Sequence, residues 1–351
     1  MKGDVAFVVR NHMKWMEILT ANTRPSIRDI RHMFVSNEDI WIVLTYLQLR
    51  RRGAKIQISS QPIPGRINIV DGIHLDPEHT RPDVFLVGCR GDGHYPALCD
   101  IVLHQNTLRL PGQRSIHVPQ WIQPGIAPRD GNRRDVRTIG FLGHAAVNLH
   151  RAFHTAAMRE ALASKGYDLV IRDRDGCPQW HDYSDIDLTL CVRDIPYEHL
   201  RLKPANKLIN SWYARTPTII GREPAIRALR RSDLDYFELQ SPEQIFDCLT
   251  LFRSQPSLYR KMVEHGSTRA LQFSDDAVSG CWLKALRLIR RRYLLWERSA
   301  AAELDLTYQT RLKLHARALL RHKRTVHDAY YSAGFQRDWW DSRLPPDVPA
   351  F

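Results

Sequence analysis

Short apolar runs of strand type, three to six residues long, recur through most of this chain, with helical or turn-rich segments between them. Residues 5–9 (VAFVV) form the first, followed by 55–59, 67–70, 84–87 (VFLV), 101–103 (IVL) and 115–118 (SIHV). Runs without polar alternation suit strands covered on both faces, and a β–α–β–α order suits a parallel sheet. Residues 39–52 read as a crossover helix, with Ile40, Val43, Leu44 and Leu47 facing in and Gly53 closing it. In an open sheet of this kind ligands gather beyond the C-terminal ends of strands, where Arg10, Asn11 and His12 follow the first run.

Residues 119–135 (PQWIQPGIAPRDGNRRD) break the pattern with prolines and glycines and then charges, the composition of a boundary. The pattern restarts at 138–142 (TIGFL) and Gly143, with a helix expected over 148–164 and strands at 167–172, 187–191, 218–220 and 236–239. A helix capped by Ser241 should span 241–253, and two more should span 257–272 and 277–292. Strand–Gly–helix is the geometry of a nucleotide-binding turn, although Gly140 and Gly143 do not complete G-x-G-x-x-G and a tight turn needs glycine anyway. The expectation is therefore an α/β protein of two Rossmann-like doubly wound lobes, 1–122 and 137–285, joined by 123–136. A basic helical extension with an aromatic, proline-rich tail, 286–351, follows.

At 351 residues the chain can bury two cores. No window reaches the roughly 20 apolar residues of a membrane span, so a cytoplasmic protein is the expectation. The six cysteines are scattered without a CxxC pair, as reduced thiols would be. His150 and His154 stand four apart but lack a third ligand, and the D-x-D pairs at 173–175 and 185–187 suit capping or surface roles. No dinucleotide fingerprint, P-loop or G-x-S-x-G is present, which disfavours an NAD-type oxidoreductase, a P-loop NTPase and an α/β-hydrolase. Of the net charge of +13, the segment 284–324 carries twelve Lys/Arg against three acidic residues. That excess suits an anionic partner, and a nucleic-acid-binding protein using these helices is the alternative reading; an anionic membrane surface suits them as well.

The most polar pattern inside an apolar lobe is residues 203–225, KPANKLINSWYARTPTIIGREPA. As a helix it puts Lys203, Asn206, Lys207 and Asn210 on one face, with Ala205, Leu208, Ile209 and Trp212 opposite. With Pro204 in the first turn, the lysines would lie at a helix N-terminus, where backbone N–H groups and the macrodipole favour an anion. A solvated helix face is the plain alternative.

KPANKLINSW with ARTPTIIGREPAIRAL, DYFELQSPEQ and SLYRKMVEHGSTRA resembles the donor-binding lobe of GT-B type glycosyltransferases, specifically bacterial group 1-like glycosyltransferases. SIHVPQWIQPGIAPRD is similar to their interdomain segment, and the resemblance spans about residues 84–285. It departs at Arg215, where relatives have Gly, and no E-x7-E pair is present, which leaves the stereochemical outcome open. The resemblance implies a nucleotide-sugar donor, UDP- or GDP-linked, a glycan or lipid-linked acceptor, and no cofactor or obligatory metal. It implies that Lys203 and Lys207 neutralise the diphosphate while Asn206 and Asn210 orient phosphate or ribose oxygens. Arg193 would reach in from a strand end, Glu223 would accept from sugar or ribose hydroxyls, and Gly143 would lie under the phosphates. An inverting transfer also needs a general base from the first lobe; Asp92 is the first choice and His12 the second, each with the plain reading of a loop residue beside it.

Overall fold

The computed structural model describes residues 4–20, 25–75, 80–106, 115–133, 135–173, 181–195 and 197–324. The chain forms two compact units, one from Met1–Pro124 together with Asp275–His327, the other built on Gly125–Ser274. The expected tail over 330–351 lies outside the described residues.

The first unit holds a six-stranded parallel sheet in the order β2-β1-β3-β4-β5-β6. Its strands are β1 (Val5–Val8), β2 (Gln57–Ser59), β3 (Ile67–Asp71), β4 (Phe85–Arg90), β5 (Ile101–His104) and β6 (Ser115–His117). The apolar runs fall in the strands that are covered on both faces: β1, β3 and β5 are buried along their whole length, whereas the edge strands β2 and β6 are partly exposed. Between β1 and β2 lie α1 (His12–Thr20) and a π-helical turn, Asp39–Leu44, that continues as α2 (Thr45–Arg51). Asp39 nucleates that turn: its carboxylate accepts from the backbone N–H groups of Val35 and Ser36, from Trp15 Nε1 and from Lys14 Nζ.

The second unit holds a five-stranded parallel sheet, β11-β10-β9-β7-β8. The strands are β7 (Thr138–Gly143), β8 (Asp168–Asp173), β9 (Leu188–Cys191), β10 (Thr218–Ile220) and β11 (Phe237–Glu238). The helix expected over 148–164 is three pieces: α3 (Ala145–Asn148), a 3-10 turn Arg151–His154, and α4 (Ala156–Ser164). The break follows from His150, whose N–H donates to Val192 O at 2.7 Å and whose Nδ1 accepts from Ala152 N, so it leaves the helical path. His150 and His154 therefore do not share a helix face. Then come α5 (Tyr197–Leu200), α6 (Asn206–Ala214), α7 (Pro224–Arg227), α8 (Ile245–Ser254) and α9 (Pro256–Ala270). Ser241 opens a 3-10 turn, Pro242–Gln244, ahead of α8 without a side-chain cap.

The expected boundary at residue 285 falls inside a continuous helix, α10 (Asp275–Trp296). Trp282, Leu286, Ile289 and Tyr293 of α10 are buried in one core with Phe7, Trp41 and Phe85 of the first unit. The chain from α10 onward is thus part of the first unit's core, because its apolar stripe is the missing cover of that sheet. Helix α11 (Ala301–His322) follows and attaches by polar contacts: Tyr308 to Thr80, Arg311 to Asp100, and His315 against His94.

Asp187, wholly buried, marks the N-terminal edge of the second sheet. It accepts from Arg129, Arg133 and the backbone N–H groups of Arg137 and Thr138 at 2.8–3.0 Å. Burial works to raise its pKa, but those bonds outweigh it and hold the carboxyl below its ordinary range. Asp185 pairs with Arg172. The 185–187 pair is accordingly structural, while 174–175 of the other pair lie outside the described residues.

Candidate functional site

Both sheets reverse strand order once, between β1 and β3 in the first unit and between β7 and β9 in the second. Crevices outside the C-terminal ends of strands at such a reversal are where open α/β sheets bind ligands.

In the second unit that place is formed by Gly143, at the end of β7, and by Arg193, two residues past β9. Across from them runs α6, which starts at Asn206 with Ala205 as N-cap, so Lys203 and Pro204 precede the helix rather than form its first turn. Leu208, Ile209 and Trp212 are buried as the helical pattern requires. Lys207, on the other face, is not the solvated lysine of an amphipathic helix. Its Nζ donates to Leu142 O and lies 4.4 Å from the centroid of the Phe141 ring. A Cβ on Gly143 would stand 2.5 Å from that Nζ, and Gly143 has φ +139°, a region side chains rarely adopt. Backbone and lysine both require glycine here.

Burial lowers the Lys207 pKa from 10.5 to about 8; Cys191 and Glu223 oppose the shift, and Arg193 and Lys203 add to it. Arg193 is itself buried and ion-paired with Glu223, which is 1 % exposed. Cys191 Sγ donates to the second Glu223 oxygen at 3.5 Å. Glu223 thus turns its carboxylate to Arg193 and Cys191, where it fixes the arginine, instead of facing outward to sugar hydroxyls. Lys203 is buried as well. Asn206 and Asn210, one turn apart on α6, are half-buried. Arg193, Lys203 and Lys207 are therefore gathered at the end of β7 and β9 with a carboxylate that one of them already occupies, an arrangement suited to a compact polyanion.

Two further groups lie there, a salt bridge not singled out by sequence and His150, which the sequence offered only as half of a weak metal pair with His154. Arg151 pairs with buried Asp194 at 2.8 Å. His150, beside them, has its pKa lowered by burial against the pull of Asp194. Among the described residues no three His, Cys, Asp or Glu side chains converge as a metal site would require.

In the first unit, His12 begins α1 just beyond β1, and Asp92 sits between two glycines after β4, half-buried. Cβ atoms on Gly91 or Gly93 would press on Ile73, so the Asp92 loop lies against the segment after β3. That segment carries a pair the sequence reading missed: His74 Nδ1 lies 2.7 Å from Asp71 Oδ2, with the carboxylate buried and the imidazole half exposed. The bond to Asp71 raises the His74 pKa, against a smaller opposing effect of burial; Arg10 lowers it and Glu38 raises it. Glu38 in turn accepts from the N–H groups of Arg10 and Asn11, which fixes the loop after β1. The signal was present as Asp-Gly-x-His at the end of an apolar run, but only the sheet order shows that β3 ends at the reversal.

No protein-family model matches the chain, and no curated protein matches it in sequence. Its fold is similar to several solved structures at low identity. Anabaena Alr3699/HepE, in a structure with UDP, is 9% identical over 82% of this chain and 100% of its own, with a TM-score of 0.45. An alpha1,3-fucosyltransferase is 11% identical over 74% of this chain and 80% of its own, with a TM-score of 0.44. TarM is 8% identical over 62% of this chain, with a TM-score of 0.45, and this chain spans 54% of its length.

Proposed function

We propose that this chain is a GT-B-type glycosyltransferase that moves a sugar from a UDP- or GDP-linked donor to a glycan or lipid-linked acceptor in the cytoplasm. The observation that carries the reading is the cluster of Arg193, Lys203 and Lys207 around Gly143 at the strand-order reversal of the second unit. A sugar leaves its nucleotide with both electrons of the C–O bond passing to the diphosphate, and the site must stabilise that charge without solvent. Buried cations do this, and here they replace the divalent ion that other sugar transferases use. Lys207 donates from a preformed position over Phe141, Arg193 is held by Glu223, and Lys203 closes the approach from the segment before α6. Asn206 and Asn210 orient phosphate or ribose oxygens.

For an inverting transfer the first unit supplies the base. His74 takes the acceptor hydroxyl's proton while Asp71 holds the imidazole in one tautomer and stabilises it once protonated. His74 is thus preferred to Asp92, in the adjoining loop, and His12, after β1, the first and second choices from sequence, because it has a buried carboxylate partner in Asp71.

Calorimetry with UDP and GDP tests the donor site. Wild type should bind one of them, and the Lys203→Ala/Lys207→Ala variant should not. Unchanged binding by a variant with native circular dichroism would overturn the assignment.

A further inference from the structure

Seven of the thirteen exposed large apolar side chains among the described residues fall between Leu288 and Leu320, on α10 and α11. Four of the seven, Leu288, Leu295, Leu306 and Leu320, fall on two stripes. On α10, Leu288, Arg291, Arg292 and Leu295 stand at i, i+3, i+4 and i+7, one helix face, and all four are exposed. The face across from them carries Leu286, Ile289 and Tyr293, buried in the first unit's core. On α11 the outward stripe is Leu306, Lys313, Arg317 and Leu320, again exposed throughout. Its inward side is fixed by Tyr308, Arg311 and His315. A merely solvated helix would carry the charges without the leucines. Leu295, 64 % exposed beside Arg291 and Arg292, gives α10 the composition of a helix lying in a membrane interface.

Where the two helices meet, a cavity of 600 Å³ opens, with Phe85, Ile101, Leu288, Leu295 and Trp296 in its walls. Its charged lining is Arg291, Arg292 and Arg311 against Asp100 and Glu303, and Asp100 is already paired with Arg311. Apolar walls with a net positive lining fit a hydrocarbon chain that ends in a phosphate.

We propose that the α10–α11 face of the first unit docks on an anionic lipid bilayer. Leu295 and Leu306 enter the head-group boundary, the cavity takes one lipid chain, and Arg291, Arg292, Lys313 and Arg317 meet lipid phosphates. The choice of partner rests on the leucines: nucleic acid would use the arginines and leave exposed aliphatic side chains without a role. The inference goes beyond the proposed sugar transfer and stands whether or not the second unit binds a nucleotide.

Flotation of the full chain with phosphatidylcholine vesicles, with and without phosphatidylglycerol, tests it. The protein should float only with the anionic vesicles. Arg291→Ala/Arg292→Ala should lower partitioning on the order of twenty-five-fold, from about fivefold per cation near the surface. Leu295→Ser/Leu306→Ser should lower it without changing the salt dependence, and both variants should keep native circular dichroism, since all four side chains point outward. Absence of binding by wild type, equal binding to the zwitterionic vesicles, or serine variants that bind like wild type would each overturn the proposal. So would duplex DNA that displaces the vesicles and is itself held by the arginines alone.

Discussion

Replacing Lys207 by methionine should make the ligand-free protein more stable and its donor site inert. Burial takes the ammonium pKa from 10.5 to about 8. At roughly 1.4 kcal/mol per pH unit, holding the charge costs the folded state about 3 kcal/mol near neutrality. Methionine fills nearly the same volume without that cost, but it forfeits the bond to Leu142 O and the contact over Phe141. Those are worth about 1–2 kcal/mol together. The net gain should be about 1–2 kcal/mol at neutral pH. The folded-state pKa lies below the unfolded one, so the cost is full below about pH 8. It fades between about pH 8 and 10.5, where the folded protein gives up its proton first, so the variant's advantage should shrink across that window. Urea unfolding near pH 7 and near pH 10, with and without UDP, reads all of this. UDP at a hundred times its Kd should stabilise wild type by about 2.7 kcal/mol and the variant hardly at all. A variant that is less stable near pH 7, yet keeps its full response to UDP, would refute the reasoning.

Glu223→Gln should destabilise the protein by about 3–5 kcal/mol by leaving buried Arg193 without its counter-charge. Saturating nucleoside diphosphate should recover more stability in this variant than in wild type, and an equal recovery in thermal melts would count against a shared anion site. Arg215 ends α6 with φ +62°, so Arg215→Gly should raise stability by about 0.5–1 kcal/mol, and a lower melting temperature would contradict that. His74→Gln should cut kcat/KM by about 10²–10⁴, and the wild-type rate should rise with pH as His74 loses its proton. Because Asp71 raises the His74 pKa, Asp71→Asn should move that limb to lower pH; an unmoved limb would exclude His74 as the base.

The central strands of both sheets could be read from the sequence because buried parallel strands write themselves as unbroken apolar runs; β2 and β8, at the edges, are partly exposed and carry polar residues. The interruptions were less legible. The break at His150 depends on a bond to Val192 O in a neighbouring loop, and the membership of α10 depends on which sheet its apolar stripe covers. Both are long-range facts that a helical pattern cannot carry. The Lys/Asn face of residues 203–210 was visible as periodicity, but periodicity left a solvated face open beside an anion grip, whereas the length of Lys207 lets it turn back under β7 to a glycine. Glu223 looked like a turn residue open to a ligand, and its pairing with Arg193 spans thirty residues of sequence. The departure at Arg215 has a direct physical meaning. It is the single side-chain-bearing residue at positive φ among those described, at the position where the resembling sequences carry glycine.

The clamp around Asp187 has a consequence for how the second unit can change over time. It fixes the entry to β9 with two arginines and two backbone N–H groups, while Arg193 and Asp194 extend from the exit. Six residues of extended chain put these ends about 20 Å apart, beyond the range at which substitutions interact. Stability losses at the two ends should therefore add independently. The exit is free to be rewritten for another polyanion, one substitution at a time, while the entry keeps the strand in register. Stability in reserve at one end of a single strand is thus what makes the other end evolvable.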